Sequence, residues 1–130
     1  MNPKASDTSD TERKVRIVEL HPQGAVRREF DKAPKARVGN VFVADLYLIS
    51  KGLKPTSEVC PLGSLGRDVY ELKINGRPAW RCIYYTGITG KIVVLHVTEK
   101  TTNGRDSQIA NVVEQRLKTL RDELKVGRKK

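Results

Sequence analysis

Apolar positions recur every second residue in the middle of this chain and every third or fourth residue on either side of it. The middle stretch, RDVYELKINGRPAWRCIYYTGITGKIVVLHVTEK, spans Arg67 to Lys100. Within it, Tyr70, Leu72 and Ile74 fall on one face of a strand, and Val69, Glu71 and Lys73 on the other. Asn75-Gly76 signals a tight reversal. Ala79–Tyr85 then divides into Trp80, Cys82 and Tyr84 against Arg81, Ile83 and Tyr85. Gly87 and Gly90 bracket a second reversal before a strand from Lys91 to about Lys100. Its run Ile92–Val97 is apolar except for His96, as suits a central strand covered on much of both faces.

Before this meander, Val15, Ile17, Val18 and Leu20 predict a first strand that ends at His21-Pro22. Val26 and Phe30 predict a helix over Gln23 to about Lys32, interrupted by Pro34. Val38, Phe42, Leu46 and Ile49 line a second helix to Ser50, with Gly52 as its stop. Leu53 to Gly66, with Pro55, Pro61, Gly63 and Gly66, reads as a connecting loop. After a turn at Thr102-Asn103-Gly104, Asp106 or Ser107 can cap a last helix. That helix carries Ile109, Val112, Val113, Leu117, Leu120 and Leu124 as its apolar stripe. The pattern is α+β: one strand, two helices, a three-stranded antiparallel meander and a closing helix. Residues 14–125 form the expected domain, between a disordered leader over 1–13 and a basic tail over 126–130. The helices need one apolar sheet face, which leaves the opposite face partly polar and concave.

Charge turns this fold into a functional question. The 130 residues carry 25 Lys and Arg against 15 Asp and Glu, a formal net charge of +10. Residues 1–60 hold 11 basic and 8 acidic side chains, and residues 61–130 hold 14 and 7, so the excess follows the meander. Such a field steers anionic partners, nucleic acid foremost. No apolar run approaches the ~20 residues of a membrane span, and no membrane partner is expected. Two cysteines, Cys60 and Cys82, lack metal-ligand or disulfide spacing, in keeping with the cytoplasm. No cofactor or metal is expected. Gly63-Ser64-Leu65-Gly66 is too short for a nucleotide-binding loop, and no second His or carboxylate stands at ligand spacing from His96.

Six residues are candidates for chemistry on a phosphodiester. Arg81, mid-strand and opposite Trp80 and Cys82, is suited to clamp a phosphate through its planar fork; the alternative is an ion pair with Glu71 on the neighbouring strand. Lys73 shares that face, either to neutralise phosphate or to act as a base, or simply as a solvated strand lysine. Arg67 and Lys100 stand near strand ends, where long side chains can rim a groove. His96 is a general acid–base candidate at neutral pH, or a histidine bonded within the core. Tyr85 lies on the Arg81 side and can stack on a base.

The run Val69-Tyr70-Glu71-Leu72-Lys73, then Trp80-Arg81-Cys82-Ile83-Tyr84, then Val94-Leu95-His96 on to Lys100 and Thr102, resembles the RelE/ParE superfamily of bacterial toxins, in its HigB and phage-related Gp49-like branch. The chain departs from that pattern at Lys73, where Arg is usual, at Thr98, where an aromatic is usual, and at Thr101, which replaces a second lysine. The resemblance implies a RelE-like fold and the toxin of a type II toxin-antitoxin system. It further implies ribosome-dependent cleavage of messenger RNA by 2′-hydroxyl attack on the neighbouring phosphate, without a metal. Arg81, Lys73 and His96 would be catalytic, with Arg67, Tyr85 and Lys100 holding RNA. The implied partners are messenger RNA on the ribosome and a cognate helix-turn-helix antitoxin. Two other readings stand beside it: a ParE-like inhibitor of DNA gyrase, and a noncatalytic, phage-derived nucleic-acid-binding protein.

Overall fold

A computed structural model describes residues 15–101 and 106–128. The leader expected over 1–13, the turn expected at 102–104 and the last two residues of the basic tail lie outside the described residues.

Five strands form one sheet in the order β1-β5-β4-β3-β2, with β1 (Ile17–Leu20), β2 (Glu58–Pro61), β3 (Val69–Ile74), β4 (Ala79–Tyr85) and β5 (Lys91–Lys100). β1 runs parallel to β5, and the other pairings are antiparallel. Between β1 and β2 lie α1 (Gln23–Lys32) and α2 (Asn40–Ser50), and α3 (Ser107–Arg128) closes the chain. This is an α+β architecture with RelE-like topology. The three meander strands occupy the spans that alternation predicts.

Three local features differ from the sequence reading. The second helix is entered through a wide π-helical turn, Lys35–Gly39, because the Pro34 carbonyl accepts from both Val38 N and Gly39 N, at 2.9 and 3.0 Å. The stripe Val38, Phe42, Leu46, Ile49 is buried along this merged segment. The expected connecting loop after Leu53 instead holds β2 and a 3₁₀ turn, Gly63–Leu65. β2 is an edge strand, where Pro61 costs no ladder bond to a further neighbour. Its approach is fixed by buried Asp45 of α2, whose carboxylate accepts from Thr56 N, Thr56 Oγ1 and Ser57 N at 2.7, 2.8 and 3.2 Å. Finally, α3 continues through 126–128, into the stretch expected as a tail.

Both sheet faces are covered, but not equally. On one face, Val26 of α1 and Phe42, Leu46 and Ile49 of α2 pack on Leu72, Trp80, Cys82, Tyr84, Ile92 and Val94. On the other, Ile109, Val113, Leu117 and Leu120 of α3 pack on Val69, Ile83, Val93 and Leu95. The second face is therefore a core over much of its length rather than an open concave surface. Only its end nearest the start of α3 escapes that cover.

β1 stops at Leu20, with His21 N donating to Val94 O, and β5 carries a bulge just beyond, between the pairs Tyr84–Val94 and Ile83–His96. Past this point, among the described residues, the outer edge of β5 has no strand beside it. Side chains take over: Arg116 Nη1 donates to Leu95 O at 2.8 Å, and Val97 N donates to Glu29 Oε1 at 2.9 Å. Backbone groups that would otherwise be orphaned in a buried setting are thereby satisfied.

Candidate nucleic-acid interface and active cleft

The uncovered end of the second face is a cleft of about 330 Å³. Its floor is built from cross-strand neighbours. Lys73 of β3 stands opposite Arg81 of β4, and Ala79 stands opposite Lys100 of β5. Period-2 alternation sends Glu71, Lys73 and Arg81 to the same side, away from Leu72, Trp80 and Cys82. Leu62, Ser64 and Leu65, at and within the 3₁₀ turn, form one wall, and Asp106, Ile109 and Ala110 at the start of α3 form the other.

Arg81 is the most constrained cation of the site, only 8% exposed. Among the described residues its Nη1 donates to the carbonyl of Trp80 at 3.0 Å. Its Nε is buried without a hydrogen bond, and the nearest carboxylate oxygen, Glu71 Oε2, stands 3.7 Å away. That separation is an ion pair and not a hydrogen bond. Arg81 thus brings to the cleft lining a buried guanidinium whose Nε no hydrogen bond satisfies among the described residues.

Glu71 is equally buried at 8%. Burial pushes its carboxyl above the ordinary carboxylate range, against the downward pull of Arg81, Lys73 and Lys100 and with a smaller upward push from Glu58. The cleft thus holds a carboxyl whose hold on a proton is strengthened by burial, among three cations. Asp106 adds a second carboxylate, and its Oδ1 accepts from Ile109 N at 3.1 Å, capping α3.

Of the residues singled out from sequence, the structure brings Arg81, Lys73 and Lys100 together in this cleft. It does not bring Arg67, Tyr85 or His96 to it. Arg67 is exposed ahead of β3. Tyr85 sits at the other end of β4, half-buried beneath Arg121, whose guanidinium carbon is 5.7 Å from the ring centroid. His96 is buried at the bulge, with Nδ1 3.0 Å from Glu29 Oε1 and 3.4 Å from Arg116 Nη1. The residue that sequence reasoning left outside its site set is Glu71. Its signal was present, since it alternates with Lys73 on the Arg81 side, but from sequence it reads only as an ion-pair partner for Arg81 until its burial is known.

Among the described residues no group of three or more His, Cys, Asp or Glu side chains could hold a metal ion, and no helix is long and apolar enough to cross a membrane. Comparison with known proteins adds one assignment. No curated protein and no solved structure matches the chain. Residues 28–118 match the family model described as Phage derived protein Gp49-like (DUF891). That stretch runs from within α1, through the cleft-forming strands, into α3, and the chain therefore belongs to the phage-derived Gp49-like family.

Proposed function

We propose that this protein is a HigB-like toxin of the RelE/ParE superfamily, a cytoplasmic endoribonuclease that cuts messenger RNA on the ribosome and is held in check by a cognate helix-turn-helix antitoxin. The observation that carries this reading is the Arg81–Glu71 pair at 3.7 Å, buried at the base of a cleft that also holds Lys73 and Lys100. A plain sheet surface has no reason to desolvate a carboxyl beside an under-used guanidinium. A site that moves a proton next to a phosphate does.

In this reading the scissile phosphate lies over Arg81, with the guanidinium fork on its non-bridging oxygens. Glu71, whose carboxyl holds its proton more readily than usual, accepts the proton of the attacking 2′-hydroxyl. The 2′-oxygen forms a bond to phosphorus, the bond from phosphorus to the 5′-oxygen breaks, and a 2′,3′-cyclic phosphate and a 5′-hydroxyl result. Lys73 and Lys100 offset the charge that builds on the phosphorane, and either ammonium can give a proton to the departing 5′-oxygen. Arg67 and Tyr85 serve RNA outside the cleft. His96 acts through Glu29, as a positioning residue at the bulge that sets β5 against β4.

The family's phage derivation favours one other reading, a nucleic-acid-binding protein that does not cut. Mapping messenger-RNA 5′ ends in translation extracts separates the two. The toxin reading expects new 5′-hydroxyl ends that need both wild-type protein and ribosomes and vanish with Arg81→Ala. Salt-sensitive RNA binding with no new ends at any protein concentration overturns it.

A further inference from the structure

On the face of the molecule that carries the helices, α2 is apolar in two directions. Phe42, Leu46 and Ile49 point into the core, while Val43 and Tyr47 point outward and are each 58% exposed. One large exposed apolar residue needs no account; two at i and i+4 on a helix, opening onto a cavity, do. Val43 and Tyr47 line a groove of about 620 Å³, with Phe30 of α1 facing them and Val18 and Leu20 of β1 beneath. This groove is larger than the cationic cleft and almost wholly apolar at its base.

Its shape is set by two helical rails. Val43, Leu46, Tyr47 and Ser50 line it at i, i+3, i+4 and i+7 along α2, and Gln23, Arg27 and Phe30 at i, i+4 and i+7 along α1. At 1.5 Å per residue each rail is about 10 Å long, two turns of a helix. A third helix fits such a trough by setting its own i, i+3/i+4 and i+7 side chains between the rails.

The charges on the lining choose the occupant. Among the described residues, every charged side chain that lines the groove is a cation: Arg16, Arg27 and Lys51. Arg16 is held in place by donation from Nη2 to Ile49 O at 2.9 Å, and Lys51 Nζ stands 5.1 Å from the Tyr47 ring centroid. A second copy of the chain would bring the same three cations to the contact, in a protein of formal net charge +10. Residues 1–14 contain acidic side chains, but Met1 is their one large apolar residue, too little to fill the trough.

From the exposed apolar side chains between the two helical rails and the cations that flank them, we infer that this groove is a docking site for an amphipathic helix of a partner protein, one with aliphatic residues on one face and Asp or Glu flanking them. The helix seats its apolar face on Phe30, Val43 and Tyr47 and its carboxylates against Arg27 and Lys51. The inference does not draw on the chemistry of the Arg81 cleft and stands or falls apart from it.

The test uses the full-length protein and fluorescein-labelled 16-residue synthetic helices read by anisotropy. One helix carries leucines at i, i+3, i+4 and i+7 flanked by glutamates; a second has lysine in place of every glutamate; a third has the first helix's composition in a non-amphipathic order. The expected result is binding of the first helix at least tenfold tighter than either of the others. Tyr47→Ala weakens it at least tenfold, Arg27→Glu shifts the preference towards the lysine helix, and a Lys73→Ala, Lys100→Ala variant binds as wild type. Both Tyr47 and Arg27 are exposed, so these variants keep the fold, and circular dichroism verifies it. Equal binding of the amphipathic and scrambled glutamate helices, or full binding by Tyr47→Ala, overturns the proposal. So does a protein dimer in sedimentation that Tyr47→Ala dissolves, since the groove would then belong to a second copy.

Discussion

Glu29 and Arg116, 87 positions apart in the chain, meet as a two-point ion pair, with Arg116 Nη2 2.9 Å from Glu29 Oε2 and Nη1 3.1 Å from Oε1. The pair ties α1 to α3 around the outer edge of β5, where β1 has ended. The same two side chains hold Leu95 O, Val97 N and the His96 ring, so one ion pair closes the sheet edge and braces the bulge.

Acid should weaken the protein through this pair. Burial alone would raise the Glu29 carboxyl, but His96, Arg116 and Val97 N overcome it and hold the group down at about 2 from an ordinary 4.5. A carboxyl depressed in the folded state contributes stability above its unfolded value and loses it as pH falls through the folded one. Urea denaturation between pH 5 and pH 2 should therefore show a loss of about 3 kcal/mol traceable to Glu29. Glu29→Gln should lower stability at pH 7 and flatten that dependence. An unchanged slope in the variant would remove the assignment.

Glu71 carries the opposite sign. Its carboxyl is raised, so the folded state binds the proton more tightly than the unfolded chain. Its contribution is greatest below the unfolded value and is lost as pH rises through the folded one. In Glu71→Gln the decline in stability across that window should disappear, whatever uniform loss follows from leaving Arg81 without its carboxylate. If Glu71 is the proton acceptor for RNA cleavage, the acid limb of the pH–rate profile should disappear as well, with the rate at least ~100-fold lower.

Arg81→Ala should abolish cleavage by ~100-fold or more while leaving RNA affinity less affected, the pattern of a group that acts mainly on the transition state. Arg81→Lys should not restore the rate, because an ammonium replaces the fork with a point charge. Single-turnover cleavage and a binding titration on the same RNA distinguish these effects.

Lys73 and Lys100 should act chiefly through salt. For every phosphate that a substitution deprives of its lysine, the slope of log affinity against log salt should fall by ~0.7 on single-stranded RNA. Lys73→Ala and Lys100→Ala are expected to show such reductions separately and to add in the double variant. An unchanged slope in both would place the RNA elsewhere on the surface.

The meander was legible in the sequence because each of its strands has two unlike faces. Tyr70, Leu72 and Ile74 against Glu71 and Lys73 define both the period and the side. β2 was not legible, since Glu58–Pro61 is too short to alternate and lies among prolines and glycines that read as turns. The second core was half legible. The stripe on α3 had to cover something, but Val69, Ile83, Val93 and Leu95 share their strand faces with charged residues, and sequence alone does not say how far along the sheet the helix reaches. Interactions such as Asp45 with Thr56, or Glu29 with Arg116, follow no period and are visible only in three dimensions. Alternation placed Arg81 and Lys73 on a common face, whereas the approach of Lys100 from its strand end and the burial of Glu71 beside them are visible only in the fold.

A sheet lined on both sides tolerates no slippage. Moving β4 by one residue against β3 would carry Arg81 beneath α1 and α2 and turn Trp80 and Cys82 towards the cleft and α3, exchanging a charge for an indole in each direction. The side chains that make the cleft polar therefore also proofread the pairing of the strands that carry them. An insertion or deletion in the short Asn75–Pro78 connection would then silence the protein by scrambling its interior rather than by blunting its chemistry.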